Sequence, residues 1–250
     1  MIELKSARDR EKMRRAGRVV AEVLAILREA AVAGVTTREL DALAEAEILR
    51  RGGRPAFKGY HGYPASLCVS INEQVVHGIP GPRRLQPHDL VSLDLGAVVD
   101  GFVGDAAISF FIGEPPSPRA AELVAVTEAS LRAGIAAFQV GGRLGDISHA
   151  VQSLCEAHGF SVVRDFVGHG IGRAMHEEPQ VPNFGAPGQG IRLRPGLALA
   201  IEPMVNLGGY EVEVLDDGWT VVTRDGSLSA HFEHTVFLGE NGPEILTRVE

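Results

Sequence analysis

The sequence predicts an α+β fold of a single domain, residues 1–250, whose two related halves, 1–113 and 114–250, set helices against one face of a shared antiparallel sheet. Three observations predict it. Apolar residues first recur with helical spacing and then form extended runs. That order occurs twice along the chain, and carboxylates interrupt strands that otherwise read as core.

The first helix opens at Ser6, which forms a capping box with Asp9, and Met13, Ala16, Val20, Val23, Leu24 and Leu27 share one face. Its stretch RRAGRVVAEVLAIL imitates a leader peptide, but Glu22 interrupts the run and Arg28 and Glu29 close it, so an amphipathic helix is expected. Thr36 and Glu39 make a second box, and the helix carrying Leu40, Leu43 and Ile48 stops at Gly52-Gly53. Extended segments follow from Ser66 to Ile79 and from Leu90 to Ile112.

The Pro-rich stretch GEPPSPRAAEL joins the halves, with Ser117 capping a helix whose first position is Pro118 and which reaches about Phe138. A fourth helix runs from near Asp146 to Gly159, with Ile147, Val151, Leu154 and Cys155 inward. Laying Leu40 on Ile147 also lays Ala44 on Val151, Ile48 on Cys155 and Gly52 on Gly159, an internal repeat of pattern rather than identity.

A formal charge of −8 argues against a nucleic-acid binder that works through bulk charge. The two cysteines, Cys68 and Cys155, suggest no disulfide framework, which fits a reducing cytosol. No apolar run approaches the ~20 residues of a spanning helix. A soluble, cytoplasmic protein without membrane contact is expected.

The carboxylates carry the functional reading. In VSLDLGAVVDGFVGDAAISFF, Asp100-Gly101 supplies a two-residue turn, so Val99 faces Phe102, Gly96 faces Asp105 and Asp94 faces Ala107. Asp94 and Asp105 then share one side of the sheet as diagonal neighbours, about 7–8 Å apart at the backbone. Carboxylates reaching across that gap can share metal ions ~3.5–4 Å apart.

More acids follow in the second half. GLALAIEPMVN reads as a strand with Leu197, Leu199 and Ile201 on one side and Ala198, Ala200 and Glu202 on the other, where Pro203 stops the ladder. LSAHFEHTVFL reads as another strand, with Glu233 among apolar neighbours. DFVGHGIGRAMHEEP sets His169 between glycines and His176 seven residues later. Clustered carboxylates repel one another and take up protons unless a cation holds them. The H-E-x-x-H of a mononuclear zinc helix is missing. Four carboxylates with one imidazole suit a pair of Mn(II), Fe(II), Co(II) or Zn(II) ions, hence a dinuclear hydrolase.

The order D-x10-D, then H, E and E, resembles the pita-bread metallopeptidases. NEQVVHGIP, GHGIG, MHEEP, IEPMVN and DGWTVVTRDGSLSAHFEHT resemble type I methionine aminopeptidases in particular, over nearly the whole chain. The resemblance implies removal of the first methionine from nascent chains, with a small second residue preferred. A hydroxide bridging two metal ions would attack, and the substrate's free α-amine would bind one ion. By position, Asp94, Asp105, His169, Glu202 and Glu233 match the metal ligands, with Asp105 and Glu233 bridging. His77 matches the contact to the scissile amide, His176 the stabiliser of the charged carbonyl oxygen, and Glu202 the proton shuttle.

The resemblance further places Tyr60, Tyr63, Cys68, Met175 and Trp219 around the methionine side chain, where the family usually carries Phe at the Met175 position. It also sets Asn72 and Ser229 near a monovalent-cation site. The basic stretch Arg8, Arg10, Lys12, Arg14, Arg15 and Arg18 is a candidate ribosome contact, and a monomer is expected. The chain lacks the second-half insertion of type II enzymes and a zinc-binding extension, which favours the short bacterial form. Two other readings stay open. One is a proline-specific peptidase of the same fold, which usually carries a long extra N-terminal domain. The other is a catalytically silent relative, which would have lost ligands.

Overall fold

The capping residues start the helices where the sequence predicts. In the computed structural model, which describes residues 2–249, α1 spans Ala7–Ala30 and α2 spans Thr37–Arg50. Ser6 with Asp9, and Thr36 with Glu39, exchange the reciprocal side-chain and backbone hydrogen bonds of capping boxes. The predicted apolar face of α1, from Met13 to Leu27, is buried throughout. The first half continues with β1 (Arg54–Pro55), β2 (Leu67–Ile71), β3 (Gln74–Val76), β4 (Leu90–Val99) and β5 (Phe102–Phe111).

The second half opens with α3 (Pro118–Ala137), capped by Ser117, and α4 (Leu144–Ala157). It adds β6 (Ser161–Val162), β7 (Gly168–Gly170), β8 (Glu177–Val181), β9 (Ala198–Ile201) and β10 (Met204–Asn206). The last strands are β11 (Val212–Val214), β12 (Val221–Thr223), β13 (Ser229–His231), β14 (Glu233–Gly239) and β15 (Gly242–Ile245).

Nine strands form one antiparallel sheet in the order β1-β4-β5-β14-β9-β7-β8, with β2 also on β4 and β15 also on β14. Two small sheets, β13-β10-β6 and β11-β12-β3, complete the structure. The helices cover one face of the large sheet. Val20, Leu24 and Ile48 pack on Leu67, Leu93 and Leu95, and Leu131, Ile135 and Ile147 pack on Leu199, Ile201 and Val236. α1 lies so close to β5 that a Cβ at Gly104 would sit 2.7 Å from the backbone of Gly17. Because side chains alternate along a strand, Asp94, Asp105 and Glu233 point to the opposite face.

The repeated pattern has structural counterparts. Leu40 and Ile147, Ala44 and Val151, and Ile48 and Cys155 are all fully buried, and Gly52 and Gly159 end their helices at φ 73° and 71°. Leu154 is only half-buried, because Val151 and Cys155 hold the centre of that face.

Three segments expected as continuous strands are divided. Ser66–Ile79 breaks at Asn72, which adopts φ 60°, so β2 stays in the large sheet while β3 joins a small one. β9 and β10 part at Glu202-Pro203, where proline has no N–H to give. β13 and β14 part at Phe232, whose N–H donates to the Pro203 carbonyl at 3.3 Å. The last two breaks free Glu202 from the ladder and set His231 and Glu233 on either side of a kink.

Candidate metal centre

The β4–β5 hairpin has the predicted register, with Asp94 opposite Ala107 and Gly96 opposite Asp105. Asp100 and Gly101 form its turn at φ 50° and 77°. β5 and β14 pair directly only at Ala107–Glu233 and Ala106–His234. Beyond that point the Thr235 hydroxyl fills the gap, accepting from the Asp105 N–H at 3.0 Å and donating to the Asp105 carbonyl at 2.8 Å. This wedge holds the backbone of Asp105 while its carboxylate faces the cavity.

Glycines let His169 reach the same place. A Cβ at Gly168 or Gly170 would fall 2.4 Å from the Ala200 carbonyl oxygen or 2.2 Å from that of Glu178. His169 Nδ1 lies 2.9 Å from the Gly170 carbonyl, which can only accept, so Nδ1 carries the proton and the Nε2 lone pair is free. That Nε2 stands 3.4 Å from Glu202 Oε1. Glu202 is anchored through its own carbonyl, which accepts from Asn183 Nδ2 at 3.0 Å.

The electrostatics are those of an anionic cluster out of water. Burial pushes the Asp94 carboxyl up to about 7. Burial first, then the neighbouring carboxylates, lifts Asp105, Glu202 and Glu233 well above the ordinary range. Burial and the nearby His176 lower His169 to about 3. Asp94 Oδ1, Asp105 Oδ1 and Glu233 Oε1 are buried without a hydrogen-bond partner among the described residues. Asp105, His169 and Glu233 offer ligand atoms within 4.8 Å of one another. Unpartnered carboxylate oxygens with an available imidazole lone pair fit divalent cations, which would restore the solvation that burial removes.

The twelve residues expected to hold metal, act in catalysis or receive the methionine side chain all line one cavity of about 130 Å³. The five candidate ligands occupy one end. His77 adopts φ 60° and turns its ring edge-on to Phe166 and Trp219, with centroids 5.7 and 6.3 Å away. Burial and His176 push its pKa down to about 4. His176 stands at the mouth, its Nδ1 2.7 Å from the Tyr60 hydroxyl. Partial enclosure, then the charge of His61, lowers its pKa. Its loop is pinned by Glu177, which accepts from Lys5 Nζ at 2.6 Å and from the Arg173 and Ala174 N–H groups at 2.8 and 3.2 Å.

Tyr63, Cys68, Met175 and Trp219 form the apolar wall with Tyr60. The Tyr63 hydroxyl donates to the Leu67 and Gly78 carbonyls, both at 3.1 Å, and its ring meets Trp219 edge-on at 5.1 Å.

Sequence reasoning missed Phe57, which completes that wall, and His231, whose Nε2 lies 3.7 Å from Glu202 Oε2. A signal for His231 was available in AHFEHT, since alternation puts it on the side of Glu233. Asn72 and Ser229 do meet, the Ser229 N–H donating to the Asn72 carbonyl at 2.9 Å. The Asn72 amide is spent on Asp89 and the Leu90 N–H. In the basic stretch, Arg14 pairs with Glu244 at 2.7 Å and Arg15 with Asp100 at 2.9 Å.

Fold and site together define a metallopeptidase of the pita-bread class. The sequence profile of metallopeptidase family M24 matches residues 11–240, and the chain belongs to that family. It is 54% identical to a methionine aminopeptidase of Clostridium perfringens over all of both chains. Its structure is similar to that of methionine aminopeptidase from Thermotoga maritima, with a TM-score of 0.98, 48% identity and full coverage of both chains. Prolidase from Pyrococcus furiosus shares the fold at a TM-score of 0.81 and 20% identity, across 99% of this chain and 66% of that one. Among the described residues, no helix is long and apolar enough to cross a membrane.

Proposed function

We propose that this chain removes the N-terminal methionine of peptides and nascent proteins, preferring a small second residue. In this reading it is a hydrolase whose two divalent ions, drawn from Mn(II), Fe(II), Co(II) and Zn(II), are held by Asp94, Asp105, His169, Glu202 and Glu233. The observation that carries it is the junction of two environments in one cavity, unpartnered buried carboxylates at one end and an aromatic and sulfur-lined wall at the other. When bound, the ions supply Lewis acidity and an ionised water near neutral pH.

The chain's own groups do the rest. Tyr60, whose pKa burial raises, keeps its proton and donates it to His176 Nδ1, so His176 carries hydrogen on Nε2. That N–H faces the cavity and stabilises the carbonyl oxygen as it gains charge. His77 contacts the scissile amide. Glu202 accepts a proton and passes it toward the leaving amine. Tyr63, Cys68, Met175, Trp219 and Phe57 receive the thioether, which suits polarizable sulfur and ring edges. The small cavity admits one side chain and so selects a chain end.

The same reading makes the chain one catalytic domain of two halves, working as a monomer in the cytoplasm on chains leaving the ribosome. Charge reversal at Arg8 and Lys12 should then reduce cosedimentation with ribosomes, and unchanged cosedimentation would remove the first helix as the contact.

Assays on Met-Ala-Ser, Leu-Ala-Ser and X-Pro peptides test the function. Faster release of methionine from the first than of leucine from the second is expected. Cleavage confined to X-Pro peptides would assign the chain to proline-specific chemistry, and metal-loaded protein without turnover would make it a silent relative.

A further inference from the structure

His231 belongs to neither the family's five-ligand pattern nor the substrate wall, yet it is among the most enclosed polar residues of the site, 1% exposed. Its Nε2 is buried without any hydrogen-bond partner among the described residues. Glu202 Oε2 lies 3.7 Å away, which is too long for a hydrogen bond. The opposite oxygen of the same carboxylate faces His169 Nε2 at 3.4 Å. Glu202 thus presents one oxygen to each of two imidazoles.

These separations are close to those of two donors sharing one ion. Two donors each about 2.1 Å from one ion, at bond angles of about 110–120°, lie about 3.4–3.7 Å apart. Glu202, His231 and Glu233 offer ligand atoms that all fall within 4.8 Å of one another, and Glu233 Oε1 also lacks a partner. The imidazole is not free to drift. The Ser109 hydroxyl accepts from the His231 N–H at 2.9 Å and donates to the His231 carbonyl at 2.7 Å, and Met204 pairs with His231 across β10 and β13.

On the metallopeptidase reading, we propose that His231 Nε2 is a sixth ligand of the centre, holding a divalent cation with Glu202 and Glu233 beside the position framed by Asp105, His169 and Glu233. The added nitrogen biases that position toward Zn(II), Co(II) or Fe(II) and away from Mg(II) and Ca(II), which prefer all-oxygen shells. His231 then acts on metal choice and occupancy, and Glu202 is oriented from both sides.

Anomalous diffraction from crystals of the metal-stripped full chain soaked in excess Co(II) tests the proposal. A cobalt peak about 2.1 Å from His231 Nε2, shared with Glu202 and Glu233, is expected. In the His231→Gln variant that peak should vanish while the peak at Asp105, His169 and Glu233 stays, and cobalt bound per chain should fall. The wild-type map decides alone if the variant does not fold. Cobalt only at the Asp105, His169 and Glu233 position, with His231 uncoordinated, would overturn this inference and leave the metallopeptidase reading standing. A map with cobalt at neither position would overturn both.

Discussion

Stripping the divalent cations should make the protein lose stability as pH rises through neutrality. Without metal, burial raises Asp94 from 3.8 to about 7, and Asp105, Glu202 and Glu233 also rise. In the unfolded chain all four ionise near pH 4. The folded state therefore keeps protons that the unfolded state has released. The resulting stabilisation is complete below the ordinary carboxylate range and is lost as pH climbs through the raised values.

For Asp94 the difference of about 3 units corresponds to at most about 4 kcal/mol. Histidines oppose this at lower pH. Burial depresses His77 and His234 to about 4, and His169 and His231 to about 3, so their contribution is lost as pH falls below about 6.5. Above pH 7 they are neutral in both states and drop out. From about pH 6.5 to 7.5, where the Asp94 carboxyl gives up its proton, the carboxyls set the sign, each one still protonated costing about 1.4 kcal/mol per pH unit. A cation that binds the ionised cluster at about 100 times its Kd adds about 2.7 kcal/mol and flattens the slope. Urea denaturation in half-unit pH steps, with chelator and then with Mn(II), reads both effects. Stripped protein whose stability does not fall between pH 6.5 and 7.5, or that is indifferent to Mn(II), would refute the reasoning.

Three further outcomes are expected. His176→Ala should lower kcat/KM by about 10²–10³ with metal content retained, as for loss of one donor to a developing oxyanion, and near-normal turnover would remove it from the mechanism. Lys5→Met leaves the Glu177 carboxylate without its ammonium partner, and a loss of roughly 3 kcal/mol in urea unfolding is expected. KM should rise as the His176 loop loosens, and unchanged stability and KM would show that the pair does not hold the loop. Met175→Phe should raise the ratio of Met- to Leu-headed peptide turnover by up to about tenfold, whereas an unchanged ratio would take Met175 out of the specificity wall.

The hairpin and the helix starts were legible because they are local. Asp100-Gly101 determines its own turn, and from it the shared face of Asp94 and Asp105. Ser6, Thr36 and Ser117 announce their helices through bonds that span three residues. The convergence of the two halves was legible from the chemistry of the clustered acids and from resemblance, since no local rule brings His169 beside Glu202. What stayed hidden depends on strand breaks. Continuous strands were expected through Glu202 and Phe232, and the division of each segment between two sheets is a tertiary outcome. Apolar pattern alone does not report it, because β10 and β13 are as buried as β9 and β14. For His231 the alternation in AHFEHT gives the side shared with Glu233, but its approach to Glu202 depends on the break at Phe232.

The most direct test of the central claim is a titration of metal-stripped enzyme with Mn(II), following bound metal and methionine released from Met-Ala-Ser together, in the wild type and in Asp105→Asn. The account predicts that turnover appears in step with occupancy in the wild type, while the variant binds Mn(II) weakly and releases almost no methionine. Full turnover without metal, or a variant that binds and turns over as the wild type does, would contradict it.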